Sequence, residues 1–250
     1  KRPRHNPLIV HFSNLEHIKQ YAIMHPDCVK LANKFSPGPI TYILKVKKNS
    51  GISSLVLNSK KQIACRIPSH KTFLSIIKQS GVPIAAPSAN MSNAVSTLRA
   101  RDVYKEFKNR LVMILDTARI KIGLESTVVN FGKTIQILRP GAITKEMIEK
   151  NVRKKVSLLT KSKIILAPGQ MKKHYSPGIP VYLNQTKAKP NGALLVFGKS
   201  KLKGKHIFYL SKKYSLQEAA KNLYLALRAA KEKGFENISV NPIPNRGIGS

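Results

Sequence analysis

Apolar residues along the 250 positions recur with two periods, one near 3.6 and one of 2, and the two kinds of segment alternate. Leu15, Ile18 and Ala22 accompany the pair Ser13-x-x-Glu16, which has the form of a capping box, so a helix is predicted there. Pro26 ends that helix or opens another. Residues 40–46 and 63–67 are short apolar runs and predict strands, whereas 72–80 predicts an amphipathic helix stopped by Gly81. Residues 82–86 predict a strand that runs directly into Pro-Ser-Ala-Asn. Further on, the pattern predicts a helix over 99–108, a strand over 111–116 and a strand pair at 127–130 and 134–138.

From 151 to 179 the pattern loosens, and basic residues with Pro168, Gly169, Pro177 and Gly178 mark a long connection. Order returns with predicted strands at 180–183, 193–197, 206–210 and 237–240. Before the last of these, Ser215-x-x-Glu218 caps a predicted helix whose Leu216, Ala220, Leu223 and Leu227 share one face and which Gly234 closes. Strands alternating with helices imply an α/β protein of two blocks, the second a small parallel unit. The length suits one large domain or two modest ones. No apolar run is long enough to predict a membrane-spanning helix.

Composition changes this picture in two ways. Cys28 and Cys65 are the only cysteines, and neither has a C-x-x-C partner, which fits a reducing, cytoplasmic setting. Cys65 precedes Arg66 and is either a small apolar residue on a buried strand or a thiol of lowered pKa. The net charge is +34, which attracts phosphate-rich partners and steers anionic substrates. Yet 34 of the 45 basic residues are Lys, an excess that also reads as a solvated face. Arg carries the planar fork that matches phosphate and carboxylate, so the 11 Arg residues are the more informative cations.

The chain has no GxxxxGK[ST] loop, no HExxH and no paired-Cys site. With only three Asp residues, a carboxylate cage for a metal is not expected, and Mg²⁺ would arrive with nucleotide phosphates and water. What the chain offers is Arg, Ser, Thr and Asn in segments that follow strands, groups that recognise phosphate and carboxylate oxygens. Ser88 and Asn90 come just after the predicted strand 82–86, where open α/β sheets bind ligands; the alternative is a capping turn before the next helix.

Several strings share one pattern: Lys-Arg-Pro-Arg-His-Asn-Pro-Leu-Ile-Val-His at 1–11, Phe-Ser-Pro-Gly-Pro-Ile-Thr at 35–41, Cys-Arg-Ile-Pro at 65–68, Ala-Pro-Ser-Ala-Asn at 86–90, and Gly-Leu-Glu-Ser-Thr-Val-Val with Arg-Pro-Gly at 123–141. In order and spacing they resemble the YrdC/Sua5 family of threonylcarbamoyl-adenylate synthases. The string Ala-Pro-Gly-Gln-Met-Lys-Lys-His-Tyr-Ser-Pro at 167–177 is similar to the linker of the two-domain Sua5 branch. The resemblance implies a twisted open mixed sheet with helices, followed by a smaller C-terminal Rossmann-like α/β domain. It divides the chain into a catalytic domain at 1–160, lacking its N-terminal part, a linker at 161–179 and an incomplete C-terminal domain at 180–250. The chain thus reads as a piece of a longer protein cut at both ends, expected to be poorly active at this length.

The same resemblance implies a site. Arg2 matches the Arg of a Lys-x-Arg signature, Lys1 falls on x, and Ser88 with Asn90 match Ser-x-Asn. It assigns Arg2, Asn6, Gln62, Ser88, Asn90, Ser96, Arg139 and Tyr175 to the nucleotide, and His11, Arg66, Ala86 and Ser126 to L-threonine. Arg2 and Arg139 would act by positioning and charge, with no covalent intermediate. His174 and Tyr175 would reach the adenylate from the linker, which otherwise reads as a basic tether. His11 also fits a core histidine at a strand end, and Arg66 a surface Arg beside Pro68. Departures from the family pattern include Ser36 for Trp, Gln62 for Thr and Asn93 for Gly; Asn is the side chain that best tolerates a positive φ.

The implied reaction joins L-threonine, bicarbonate and ATP into threonylcarbamoyl-AMP and pyrophosphate, with Mg²⁺ accompanying ATP. The product feeds a downstream threonylcarbamoyl transferase that modifies adenosine 37 of tRNA. The charge also fits an RNA-binding module without catalysis, and the truncated motifs a degenerate relative.

Overall fold

The computed structural model describes residues 7–117, 122–159 and 175–249. In chain order these form β1 (Ile9–His11), α1 (Leu15–Tyr21), β2 (Ala22–Ile23), α2 (Pro26–Phe35), β3 (Ile40–Val46), β4 (Gln62–Arg66), α3 (Lys71–Ser80) and β5 (Ile84–Ala86). There follow α4 (Ala100–Phe107), β6 (Thr127–Phe131), β7 (Ile135–Arg139), α5 (Lys145–Val152) and β8 (Val156–Leu158). The last elements are β9 (Val181–Tyr182), β10 (Gly192–Phe197), β11 (Ile207–Ser211), α6 (Leu216–Glu232) and β12 (Asn237–Val240). The fold is mixed α/β with two separate sheets.

One compact unit comprises Lys1–Pro87 with Glu125–Lys172. Its sheet runs β5-β1-β4-β3-β6-β7-β8, with β2 also paired to β3. β1–β4, β3–β6 and β7–β8 are parallel and the other pairs antiparallel. Ile40 to Leu44 of β3 are all buried, as expected of a strand covered on both faces. Alternation sends Tyr42, Ile63, Cys65, Val129 and Ile137 into the larger apolar cluster. Ile9, Ile43, Ala64, Val128 and Leu138 form a smaller cluster on the opposite face.

The helices begin where local chemistry permits. Asn14, not Ser13, is the N-cap of α1, its side chain accepting from the His17 N–H at 2.8 Å. Pro26 opens α2 at its first turn, where the missing N–H is no loss. Thr144 caps α5, which packs on α2 and buries Ile148 and Val152. Asp27, buried in α2, is met by Lys154 at 2.7 Å.

The second unit comprises Ser88–Leu124 with Lys173–Ser250. Its sheet, β11-β10-β12-β9, is wholly parallel, and α6 packs on it through Ala219, Tyr224, Leu227 and Ala230. Ser215 caps α6 by accepting from the Glu218 N–H at 3.2 Å; the Glu218 carboxylate accepts from the Ser211 hydroxyl at 2.6 Å instead of completing a capping box. In this unit Val95, Leu98 and Leu124 join the apolar cluster of α6. No strand forms over 111–116; Val112, Met113 and Leu115 are exposed, and without a neighbouring strand the segment has no ladder to join.

Candidate active site

Strand register brings one group of side chains to a single end of the first sheet. His11, last in β1, pairs with Arg66, last in β4. The β3–β4 register, Tyr42 with Cys65, continues to place Thr41 opposite Arg66. Ser126 and Thr127 enter β6 beside the start of β3, where the Thr127 N–H donates to Pro39 O at 2.9 Å. Arg139 ends β7 opposite Val128.

This end is polar but tightly bonded. Ser126 and Thr41 are buried, and their hydroxyls lie 2.8 Å apart. Arg139 is also buried; its Nε donates to Ser126 O at 3.0 Å, and its Nη2 donates to Ser126 O and Oγ, each at 2.9 Å. Thr127 ties this segment to Ile143, its hydroxyl donating to Ile143 O at 2.7 Å. Gly141 lies against the same backbone: a Cβ there would stand 2.5 Å from Glu125 O and 2.6 Å from Thr127 N. Its lack of a side chain serves this internal approach.

Arg66 differs from Arg139. Its Nε donates to Gly38 O at 3.2 Å, and its terminal nitrogens donate to none of the described residues. Burial, then the like charge of Arg139, lowers its pKa to about 10, with Glu125 opposing. It therefore remains a cation at neutral pH. His11 is buried beside it, edge-on to Phe73 at 4.9 Å. Desolvation, then Arg66, lowers the His11 pKa to about 4, against a hydrogen bond to Ile84 O at 3.2 Å. A carbonyl only accepts, so Nδ1 carries the proton and Nε2 keeps its lone pair.

That shift makes stability depend on pH. A His11 pKa below its unfolded value of 6.5 means that the unfolded chain binds the proton more readily. Stability is full above pH 6.5 and falls as pH drops toward 4. The loss from this group is expected to be on the order of 3 kcal/mol. Urea denaturation at stepped pH should show it, and His11→Gln should flatten the profile over that window.

The other sequence-assigned residues lie elsewhere. Gln62 opens β4, four residues from Arg66, and its side chain accepts from Asn58 Nδ2 at 3.2 Å. At about 3.3 Å per residue that separates it from Arg66 by roughly 13 Å. Ala86 pairs with Ile9, two positions from His11. Arg139, assigned to the nucleotide, is held by Ser126, one of the residues assigned to threonine. Ser88 is exposed in the second unit, where Asn90 donates to Met91 O at 2.8 Å and Ala94 O at 3.0 Å. Ser96 is buried there, and Tyr175 stacks on Tyr224 with centroids 5.6 Å apart. Arg2, Asn6 and His174 lie outside the described residues. Thr41 was not foreseen; it ends the string at 35–41, but only the strand register puts its hydroxyl on Ser126. Cys65 is buried in β4, and burial pushes its thiol well up, so it is a core residue.

A twisted mixed sheet with a polar, cationic strand-end site defines a class, and comparison with known proteins defines it further. The family described as “Telomere recombination”, the Sua5/YciO/YrdC family, matches residues 1–141, and “Threonylcarbamoyl-AMP synthase, C-terminal domain” matches 143–250. Threonylcarbamoyl-AMP synthase from Pyrococcus abyssi is 31% identical, the match covering 99% of this chain and 78% of that protein. The Bacillus subtilis enzyme of the same name is also 31% identical, over 99% and 77%. The crystal structure of P. abyssi Sua5 complexed with L-threonine superposes with a TM-score of 0.88 at 30% identity, covering 99% of this chain and 78% of that one. The chain belongs to the Sua5 family of threonylcarbamoyl-AMP synthases.

Proposed function

We propose that the protein is an L-threonylcarbamoyladenylate synthase, a nucleotidyltransferase that uses L-threonine, bicarbonate and ATP. The observation that carries this reading is Arg66, a half-buried cation whose terminal guanidinium nitrogens have no partner among the described residues. A carboxylate suits such a fork bidentately. Neutral His11 adds an acceptor at Nε2 for an amine or hydroxyl of the same ligand. Family membership supports the reading, as does the relative solved with L-threonine.

In this reading the threonine amine first attacks bicarbonate, forming an N–C bond and releasing water. A carbamate oxygen then attacks the α-phosphorus of ATP. The bond to the β-phosphate bridge breaks, and its electron pair leaves with pyrophosphate. The carbamate is already anionic, so no strong base is required, and catalysis rests on positioning and charge. Arg66 holds the carboxylate, Ser126 and Thr41 fix the wall beside it, and Ser88 and Asn90 serve the nucleotide. Mg²⁺ would come with ATP, held by phosphates and water, and would supply charge neutralisation at the phosphates. Among the described residues no group of three or more His, Cys, Asp or Glu side chains is arranged to hold a metal ion. The product is the donor for a downstream transferase acting on tRNA. No helix among the described residues is long and apolar enough to cross a membrane.

The test is pyrophosphate release from ATP, with threonine and bicarbonate omitted in turn. Release that depends on both is expected; release independent of threonine would overturn the reading. Arg66→Gln should raise the threonine KM at least about tenfold, the cost of one charge-assisted contact.

A further inference from the structure

The loop that follows β5 is held from an unexpected direction. The Met91 N–H donates to Glu106 Oε2 at 2.6 Å. The other carboxylate oxygen of Glu106 meets Arg228 Nη1 at 2.6 Å, and Arg228 Nη1 also donates to Val95 O at 2.8 Å. Both side chains are largely buried, 12% exposed for Arg228 and 15% for Glu106. Glu106 is in α4, within the stretch matched by the first family, whereas Arg228 is in α6, within the C-terminal match. Arg228 thus reaches across the family boundary to one end of the loop directly, at Val95, and to the other through Glu106, which holds Met91.

Within that loop Asn90 is locked. Its amide N–H₂ faces the Met91 and Ala94 carbonyls, so its Oδ1 is turned the other way, buried and unpartnered among the described residues. Thr97 donates to Ala89 O at 2.7 Å and closes the loop on itself. Asn93, at φ 68°, makes the left-handed turn that Asn tolerates. Gly123 holds the far end of the segment on α6: a Cβ there would stand 2.5 Å from Lys221 O and 2.7 Å from Ala220 O.

We propose that Glu106 and Arg228 form a brace by which α6 of the C-terminal region fixes the loop carrying Ser88 and Asn90, making Arg228 a positioning residue for nucleotide binding. The inference rests on the nucleotide role given to Ser88 and Asn90 above. A flexible loop would have to be ordered at each ATP binding, whereas the brace orders it beforehand. Arg228 itself touches no substrate in this scheme.

Breaking a largely buried pair leaves a lone charge and threatens folding, so conservative variants are needed. Arg228→Lys, Glu106→Gln and Arg228→Met, with the double variant Glu106→Gln/Arg228→Met, would be compared by ATP titration, threonine titration and hydrogen exchange. Exchange of the amides from Met91 to Thr97 should quicken in Arg228→Met. ATP affinity should fall about tenfold while threonine affinity stays at the wild-type value. The double variant should be no worse than the poorer single variant, and Arg228→Lys should recover part of the loss. Wild-type exchange over 91–97 in a folded Arg228→Met protein would overturn the brace. Parallel losses of ATP and threonine affinity would overturn the positioning role and leave a general packing defect. If the wild-type protein binds no ATP, the proposed function fails, and the exchange measurement still decides whether the pair holds the loop.

Discussion

Arg139→Ala is expected to lose both stability and turnover. The guanidinium is buried and gives the Ser126 carbonyl two hydrogen bonds and its hydroxyl a third. Removing it strips the donors from a buried carbonyl and opens a void at the end of β7. Hydrogen bonds from a charged donor are worth about 1.5–3 kcal/mol, so a loss on the order of 3 kcal/mol is expected. Ser126 keeps only Thr41 on its hydroxyl and is free to turn away from Arg66. The threonine KM should rise more than about tenfold. Arg139→Lys should recover less than half of the stability, because an ammonium cannot reproduce the fork. Urea denaturation and steady-state pyrophosphate release measure the two effects. An unchanged denaturation midpoint would mean that the three bonds to Ser126 are not what holds the segment.

The bonds of Arg139 to Ser126 were not foreseen, and the reason lies in β-pairing. A register shift between Val128 and Val129 sets how β7 ends against β6, and such an irregularity leaves no mark in apolar spacing. That His11, Arg66 and Ser126 stand at one end of the sheet could be anticipated, because each sits in a dense motif at a strand end and a sheet carries strand ends to one place. Strands with strong β-branched character were also legible: β3 spans Ile40–Val46 and β12 spans Asn237–Val240, as the pattern predicted. The segment 111–116 carries the same apolar signal, yet a strand also needs a neighbour to pair with. α5 escaped notice because its buried face is only Ile148 and Val152, too short a stripe to stand out.

The grouping of Ser88–Leu124 with the C-terminal part was not legible either. It depends on long-range contacts such as Arg228 with Glu106 and Gly123 with α6, which no local window contains. Asn93 is a contrasting case. It stands where Gly is frequent, and at φ 68° the backbone there is one that Asn tolerates better than other side chains.

Gly141→Ala should have an effect as large as Arg139→Ala, by a different route. An added Cβ would lie 2.5 Å from Glu125 O, 2.6 Å from Thr127 N and 2.9 Å from the Ser126 carbonyl carbon. All three neighbours are backbone, so no rotamer change relieves the clash, and the 125–127 segment must shift bodily. That segment carries the Thr127 bonds to Pro39 and Ile143 and the Ser126 contacts to Thr41 and Arg139. Overpacking of this kind costs about 1–3 kcal/mol, and lost hydrogen bonds add to it, so a total on the order of 3 kcal/mol is expected. If threonine sits at Arg66 as proposed, its affinity should fall more than about tenfold even where the protein still folds, because Ser126 moves relative to Arg66. Gly132→Ala provides the control: its added Cβ would meet only Thr134 O, at an ordinary 3.8 Å. That variant should melt and bind threonine within error of the parent, so that any deficit of Gly141→Ala reports the close backbone approach and not the loss of a glycine as such. Thermal melting and threonine titration of the two variants side by side decide the point. Wild-type threonine affinity in Gly141→Ala would show that threonine does not bind against residues 125–127.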